Sequence, residues 1–308
     1  MVGGEKMRAL VSSDFRRQSR GDKLFDVMNY IILTIILVIV LYPLIFIVVA
    51  SVSEPDAVAR GEVWLLPIGF NVDGYKEVLK NADIWQGYAN TIKYTVIGTL
   101  VNVCLTIPAA YALSRKELVG RNLLMGMITF TMFFGGGLIP TYLLVSGLHL
   151  NNTMWALIIP GAISVYNLII SRSYFVSNIP EELFEAGQMD GCSYFKFFFR
   201  VVLPLAKPIL GVIVLMYAVG HWNSYFNALI YLRDRQLYPL QVILREILIQ
   251  QEASMSMGGS ATSVMEQQRI ADMLKYGVII VSTLPILCVY PFIQKYFVKG
   301  MMIGSVKG

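Results

Sequence analysis

Charged side chains are scarce in this sequence. Asp, Glu, Lys and Arg together make up 15% of the 308 residues, whereas a soluble domain usually carries about 25%. Hydrophobic residues make up 56%, and the mean hydropathy is +0.61. This balance argues against an ordinary soluble domain and predicts a membrane protein.

Signatures of bound metal, of bond-breaking chemistry and of nucleic-acid binding are also missing. The three cysteines (Cys104, Cys192 and Cys288) lack metal-ligand spacing, and an odd number provides no disulfide framework. The sequence has neither a G-x-x-x-x-G-K-[ST] phosphate loop nor a G-x-S-x-G nucleophile elbow. The net charge of +5 is modest, and no basic cluster is interleaved with aromatic residues. We therefore expect no enzyme, no metal site and no nucleic-acid partner.

What the sequence does have is long runs without a charged residue. These runs are Val27–Ser53, Tyr94–Ser114, Asn122–Ser171, Pro208–Leu232 and Tyr276–Gln294. A helix needs about 20 apolar residues to cross a bilayer, and the third run has room for two crossings with a turn at Ser146–Asn152. The first run is nearly twice as long as the apolar region of a signal peptide, about 7–15 residues, so we expect an anchored span. The predicted fold class is an all-α membrane protein with six transmembrane helices.

The distribution of charge predicts the orientation of these helices. The loops around residues 54–87 and 233–274 hold eleven acidic against seven basic residues. The opposite side carries the basic tail at residues 1–26, the loop with Arg115, Lys116 and Arg121, and three lysines near the C-terminus. Because Lys and Arg accumulate on the cytoplasmic side, both termini are predicted to be cytoplasmic in a multi-pass protein of the cell membrane, surrounded by lipid.

One charged stretch, residues 179–208, lies between two apolar runs. Asn178 and Glu181 have the spacing of a capping box, and Pro180 suits a first helical turn. The helix that they predict runs to about Met189, roughly 15 Å in length, which is half of what a bilayer requires. It is expected at the cytoplasmic surface.

The second half of this stretch predicts a turn and another helix. Asp190-Gly191 indicates a break, and Ser193 is expected to cap a short helix that leads to Leu203-Pro204. We call residues 178–200 the cytoplasmic knob. A rigid knob of this kind implies a matching cavity on a partner; the alternative is an amphipathic helix on the membrane, which its acidic character disfavours.

The knob also carries a family resemblance. E-A-G-x-x-D-G at Glu185–Gly191, followed by L-P-L-A-K-P at Leu203–Pro208, resembles the EAA loop of permease subunits of ABC importers. The spacing of thirteen positions from Asp190 to Leu203 fits that pattern. Gly187 stands where Ala is usual, which costs a helix about 1 kcal/mol in propensity.

Other segments resemble the carbohydrate-uptake branch of that family, the maltose-type permeases. They are the Trp222-Asn223 pair late in the fifth predicted span and the ending V-K-G at Val306–Gly308. The motif F-F-G-G-G-L-I-P-T-Y at Phe133–Tyr142 is similar to members taken to import oligosaccharides.

The resemblance implies that the knob, which lies between spans 4 and 5, is a coupling helix seated in a groove of a separate ATPase. The absent phosphate loop agrees, since ATP and its Mg²⁺ must then bind to the partner. The implied coupling residues are Glu181, Leu183, Phe184, Glu185, Ala186, Gly187, Asp190, Gly191, Leu203 and Pro204. Of these, Glu185, Asp190 and Gly191 would hold the shape and contacts, while Leu183 and Phe184, with Met189, would pack the knob apolarly.

Five residues are candidates to line a substrate path. Amides pair with sugar hydroxyls, and aromatic rings cover sugar C–H faces, while polar groups inside a membrane are costly enough to indicate function. The candidates are Asn167, Trp222, Asn223, Tyr225 and Asn227. An interfacial aromatic belt is the alternative for the last four, and interhelical hydrogen bonding is the alternative for Asn167. Gly135–Gly137 predicts a broken third span, at a cavity or at a close helix contact.

The whole chain is thus predicted as one permease with two tails: residues 1–26, 27–298 and 299–308. The resemblance implies four kinds of partner: a second permease, an ATP-binding-cassette dimer, an extracellular sugar-binding protein and membrane lipid. It also implies that residues 233–272 meet the binding protein, although a flexible connector fits the composition equally. An ion-gradient-driven secondary transporter is the alternative function, but no internal repeat and no intramembrane acid supports it.

Overall fold

The computed structural model describes residues 19–256, 274–288 and Pro291. Throughout that part of the chain the regular structure is helical and no strand occurs. The expected all-α fold class is therefore confirmed for these residues. Residues 1–18, 257–273, 289–290 and 292–308 lie outside the described part, and with them most of the predicted N-terminal tail and the whole predicted C-terminal tail.

Fourteen α-helices follow one another in this part. They are α1 (Arg20–Ser51), α2 (Pro55–Ala59), α3 (Asp73–Lys80), α4 (Ala82–Ser114), α5 (Arg121–Phe133), α6 (Leu138–Gly147), α7 (Trp155–Ile158), α8 (Val165–Asn178), α9 (Glu181–Met189), α10 (Tyr194–Leu205), α11 (Lys207–Trp222), α12 (Phe226–Tyr231), α13 (Leu240–Ser256) and α14 (Leu274–Cys288). Within α10, residues Phe198–Val202 form a π-helical turn, and Arg235–Leu237 form a 3₁₀ turn before α13.

Between two and four spans are long enough to cross a membrane in the described residues. Helices α1 and α4 qualify alone. The pairs α5–α6 and α10–α11 qualify if each is one broken span, and they bend by 114° and 80° respectively. The predicted interruption at Gly135–Gly137 is present, because α5 ends at Phe133 and α6 begins at Leu138. Helix α14 is apolar but shorter, and α8 has 14 residues, so the count of six stays a prediction.

Helix α4 is the centre of the fold. It packs against α8, α11 and α13, and its buried side chains include many that are small or polar. At Gly98 the ring of His221 on α11 approaches so closely that a Cβ would lie 2.4 Å from Nε2. Glycine is required there because the approach of the two helices leaves no room for a side chain.

Asn102 on α4 connects three parts of the membrane region. Its Nδ2 donates to the carbonyl oxygens of Gly161 (3.1 Å) and Ala162 (2.7 Å), which lie between α7 and α8. Its Oδ1 lies 2.6 Å from Nε2 of His221, and an amide oxygen only accepts, so His221 donates this bond. Asn102 itself is fully buried. Asn102 thus forms an interhelical hydrogen bond with α11.

Tyr217, one turn before His221 on α11, also connects α4 to the segment between α7 and α8. Its hydroxyl accepts from the backbone N–H of Ser164 at 2.9 Å and lies 2.7 Å from Oγ1 of Thr106 on α4. Since backbone groups at membrane depth must be satisfied within the protein, these side chains hold the non-helical residues 159–164 in place.

Two apolar cores lie at opposite ends of α4. The knob-side core joins the C-terminal half of α4 to α8, α9, α10 and α11, with Phe175, Phe197 and Ile213 at most 1% exposed. The opposite core joins the start of α4 to α3, α13 and α14, around Leu240 and Ile243. Helix α1 differs, because its most apolar 18-residue window has no buried residue within the chain.

Asn102→Ala is expected to lower the free energy of unfolding by about 1–3 kcal/mol, because the carbonyls of Gly161 and Ala162 and the ring of His221 lose their hydrogen-bond partner. Thermal and denaturant unfolding of the detergent-solubilised protein measures this. Asn122→Ala is the matched control, since Asn122 is exposed on α5, and a change within about 0.5 kcal/mol is expected there. Equal stability of the two variants would contradict the role of Asn102.

Candidate functional site

The first helix of the knob, α9, begins at Glu181 and is preceded by Pro180. This residue occupies the N-cap position in extended conformation, and no side chain caps the helix. The predicted capping box is therefore wrong, as is the placement of Pro180 inside the first turn. Asn178 lies two residues before the N-cap, at the end of α8, and donates to the Tyr174 carbonyl instead. Glu181 and Glu182 occupy the first turn, where a negative charge complements the helix dipole.

The helix ends where the sequence predicts, at Met189 with a turn at Gly191. Gly191 has φ +70°, a left-handed conformation in which glycine has no Cβ penalty. The amide of Cys192 donates to the Gly187 carbonyl at 2.8 Å, and that of Gly191 donates to the Gln188 carbonyl at 2.9 Å. These two bonds form a Schellman motif. The next helix is capped as predicted, with Ser193 Oγ accepting from the Lys196 amide.

Gly187 lets the two helices of the knob pack tightly. A Cβ at this position would lie 2.9 Å from Cδ2 of Phe197, whose side chain is 1% exposed and cannot move away freely. The Phe197 ring in turn packs edge-on against Phe184, with centroids 5.3 Å apart. The departure from the usual Ala thus has a physical reason, because the aromatic ring occupies the space of a methyl group.

Arg115 fastens the knob to the end of α4. Its guanidinium lies 4.1 Å above the ring of Phe184 and donates two hydrogen bonds to Glu117, at 2.6 and 3.2 Å. These bonds hold the pKa of the Glu117 carboxyl below its usual value. From the sequence, Arg115 was counted only toward the charge asymmetry. Its position directly after the long apolar run that forms α4 could have indicated a contact at the end of that helix.

An ion pair also joins the knob to the loop that follows α4. Lys116 donates to the Glu181 carboxylate, which raises the pKa of Lys116. The Lys116 side chain is 72% exposed, so solvent screens this pair and it adds little to stability. The cation–π contact of Arg115 is the stronger fastening, because the Arg115 side chain is only 12% exposed.

The Leu203-Pro204 motif lies at the far end of α10, away from the knob's turn. Pro204 has no N–H to bond the carbonyl of Arg200, and the preceding turn adopts the wider π-helical form. The chain then bends into α11, and the hydroxyl of Tyr174 on α8 donates to the Leu205 carbonyl at 3.0 Å. Leu203 is half-buried against the knob-side core. No motif in the sequence predicted the π-helical turn.

The outward surface of the knob is both acidic and apolar. Of the three apolar residues expected to pack the knob, only Phe184 is buried within the chain, whereas Leu183 is 41% and Met189 90% exposed. The same surface exposes Glu182, Glu185, Ala186 and Asp190. None of these three acids forms an ion pair with another described residue. Such a surface is typical of a protein contact.

The five substrate-path candidates divide into two groups. Trp222 is buried, and its indole donates to the Ser282 carbonyl on α14 at 3.2 Å. Asn167 is 5% exposed on α8. The remaining three, Asn223, Tyr225 and Asn227, are exposed together where the chain passes from α11 to α12.

A family model described as binding-protein-dependent transport system inner membrane component matches residues 9–303. Protein LplC of Bacillus subtilis is 40% identical, over 94% of this chain and 97% of the relative. The polygalacturonan/rhamnogalacturonan transport system permease protein YtcP of the same species is 42% identical, over 93% and 99%.

A solved structure has the same fold. It is a chain of a bacterial ABC transporter involved in the import of the acidic polysaccharide alginate. The TM-score is 0.82 at 35% sequence identity, and the match covers 91% of this chain and 99% of that chain.

Gly187→Ala is expected to destabilise the protein by about 1–3 kcal/mol, because the added methyl overpacks Phe197. In an open helix the same change stabilises by up to about 1 kcal/mol, and Gly126→Ala in α5 provides that control, since no other atom lies within 4 Å of its Cβ. The double variant Gly187→Ala/Phe197→Leu should recover part of the loss. Denaturant unfolding measures all three, and equal gains for Gly187→Ala and Gly126→Ala would refute the packing argument.

Proposed function

The chain belongs to the family of binding-protein-dependent transport system inner membrane components, and from this membership we propose that it is a permease subunit of an ABC importer for oligosaccharides. The relatives that carry this proposal are named for saccharide transport, including one for arabinooligosaccharides in Bacillus subtilis. In this role the chain moves a solute across the membrane and makes or breaks no bond.

The proposed topology has six spans with both termini in the cytoplasm. The spans are α1, α4, the broken pair α5–α6, α8, α11 and α14. Charge asymmetry supports the orientation, because the knob and the Arg115 loop then lie on the basic, cytoplasmic side. The segments at residues 54–87 and 233–256 lie outside.

The knob is proposed to dock into a groove of the ATPase. The observation that carries this is its surface, where Leu183 and Met189 are exposed beside acids without an ionic partner in the described chain. A partner groove that is apolar with a basic rim complements this surface. ATP and its Mg²⁺ bind to that partner, where hydrolysis supplies the energy for transport.

Force applied to the knob has a rigid route into the membrane region. Phe184 and Phe197 join the knob to the knob-side core, and Arg115 joins it to the end of α4. When the ATPase dimer closes on ATP, the knob moves with it, and the packed helices move as near-rigid units, since close-packed cores transmit displacement. An inward-facing cavity between this chain and a second permease thereby becomes outward-facing.

The same proposal assigns the remaining partners. A second permease covers the apolar surface that α1 leaves exposed, together with lipid. An extracellular sugar-binding protein delivers the substrate to the outer face, next to residues 233–256. Selectivity then rests first with the binding protein and second with the permease.

Glu185→Arg is expected to reduce substrate-stimulated ATP hydrolysis and sugar uptake together, by about tenfold or more, because a reversed charge opposes docking to the ATPase. Both rates are measured in proteoliposomes that hold the whole importer. Glu185 is exposed and makes no ion pair within the described chain, so the stability of the permease itself should be unchanged.

The matched control is Glu77→Arg on the opposite side of the membrane. Glu77 is exposed and forms only a solvent-exposed ion pair with Lys80, so activity should stay within about twofold of the original protein. If Glu185→Arg retained full ATP hydrolysis and uptake, the docking role of the knob would be wrong.

A further inference from the structure

Arg245 lies on an external helix that the fold holds rigidly. It belongs to α13, and the residues before it, Val242, Ile243 and Leu244, are at most 6% exposed. The start of that helix is bonded to α4, where Thr91 Oγ1 accepts from the Leu240 amide at 2.8 Å. Binding residues on anchored helices keep their geometry better than residues on loops.

The preceding turn is bonded to α4 as well. Asn90 Nδ2 donates to the carbonyls of Gln236 (2.7 Å) and Tyr238 (3.1 Å), and the Tyr94 hydroxyl donates to the Leu237 carbonyl at 2.9 Å. The backbone that carries Arg245 is therefore fixed by four hydrogen bonds from side chains of α4.

Arg245 differs from the neighbouring Arg235 in having no ion-paired carboxylate among the residues that the structure describes. Arg235 pairs with Asp83 at 2.9 Å and with Glu246 at 3.4 Å. Glu246 is adjacent to Arg245 in sequence, but its Oε2 lies beside Arg235 and makes no hydrogen bond in the described part of the chain. Within that part, the exposed guanidinium of Arg245 is available for an anion.

The guanidinium of Arg245 lies over the aromatic ring of Tyr225. It lies 5.6 Å from the centroid of Tyr225, which is itself 44% exposed in the break between α11 and α12. Asn223 and Asn227, two residues to either side of Tyr225, are exposed as well. A planar cation and an apolar ring face therefore lie together at this break, and the two exposed amides flank the ring in the sequence. The Nδ2 of Asn223 donates to the Val219 carbonyl at 2.9 Å, so its Oδ1 is the atom that can accept from a sugar hydroxyl.

We propose that Arg245, with Tyr225, Asn223 and Asn227, forms a site that selects oligosaccharides containing uronic acids. Arg binds a carboxylate through two parallel N–H donors, the tyrosine ring covers the C–H face of the sugar, and the amides bond its hydroxyls. A neutral sugar leaves the guanidinium without a counter-charge, so the carboxylate decides the preference. This inference rests on the proposed function and narrows its substrate class.

The test compares oligosaccharides that carry a free carboxylate with oligosaccharides that do not. The importer, with its binding protein and ATPase, is reconstituted in proteoliposomes, and uptake and ATP hydrolysis are measured with oligomers of galacturonate, mannuronate and guluronate, with their methyl esters and with neutral galactotriose. Variants are Arg245→Gln, Arg245→Lys and the control Arg233→Gln, because Arg233 is also exposed on the outer face. Using one binding protein throughout cancels its own selectivity from the ratios between variants.

Arg245→Gln is expected to raise the KM for the uronate oligomer that the original importer takes up by about tenfold, the effect of one lost charged hydrogen bond. Arg245→Lys should recover part of this, Arg233→Gln should match the original, and uptake of any methyl ester should not change with Arg245→Gln. Assembly of each variant with the ATPase, measured by co-purification, separates loss of binding from loss of folding.

Two outcomes would overturn the inference while leaving the proposed function intact. One is stimulation by galactotriose and not by any uronate oligomer; the other is an equal KM for the uronate in the original and in Arg245→Gln. If no saccharide stimulated ATP hydrolysis in the original importer, the proposed function itself would fail.

Discussion

Backbone groups inside a bilayer have no water to bond, and this constraint shapes the centre of the fold. Residues 159–164 are not helical, so their carbonyls and amides need partners from elsewhere. Asn102 and Tyr217 supply them, and His221 holds Asn102 in orientation. The close approach at Gly98 is what brings His221 within reach. One polar cluster thus fixes α4, α11 and the segment before α8 relative to one another.

The knob is held by a different kind of interaction, which is packing between aromatic rings and a cation. Its polar bonds are local, as in the Schellman motif at Gly191, apart from the solvent-exposed ion pair of Glu181 with Lys116, which adds little to stability. Its attachment to the membrane helices comes from Phe184, Phe197 and Arg115. Because the outward residues contribute nothing to this attachment, the surface of the knob is free to match a partner. Stability and recognition are therefore carried by separate side chains.

Sequence patterns predicted the features that depend on local chemistry. The break at Asp190-Gly191, the cap at Ser193 and the interruption at Gly135–Gly137 are all set by the conformational preferences of the residues themselves. The features that these patterns did not predict depend on contacts between distant residues. The tight fit of Gly187 needs the ring of Phe197, and the capping box failed because Pro180 took the N-cap position. Likewise, nothing in the order of residues indicated that Trp222 would be buried against α14 while Tyr225 stayed exposed.

Helix α4 links the two proposed sites. Its C-terminal end leads into Arg115 over Phe184, its middle carries Asn102, and its N-terminal end holds the turn before α13 through Asn90 and Tyr94. Under the proposed mechanism, a displacement of the knob by the ATPase reaches Arg245 through this helix and the bonds at its two ends. A 33-residue helix changes little in length under load, so its ends are expected to move together, with Pro108 as a point inside it where it can bend. In the proposed function, this makes closure of the ATPase and release of the sugar two consequences of the same motion, without a separate signal between them.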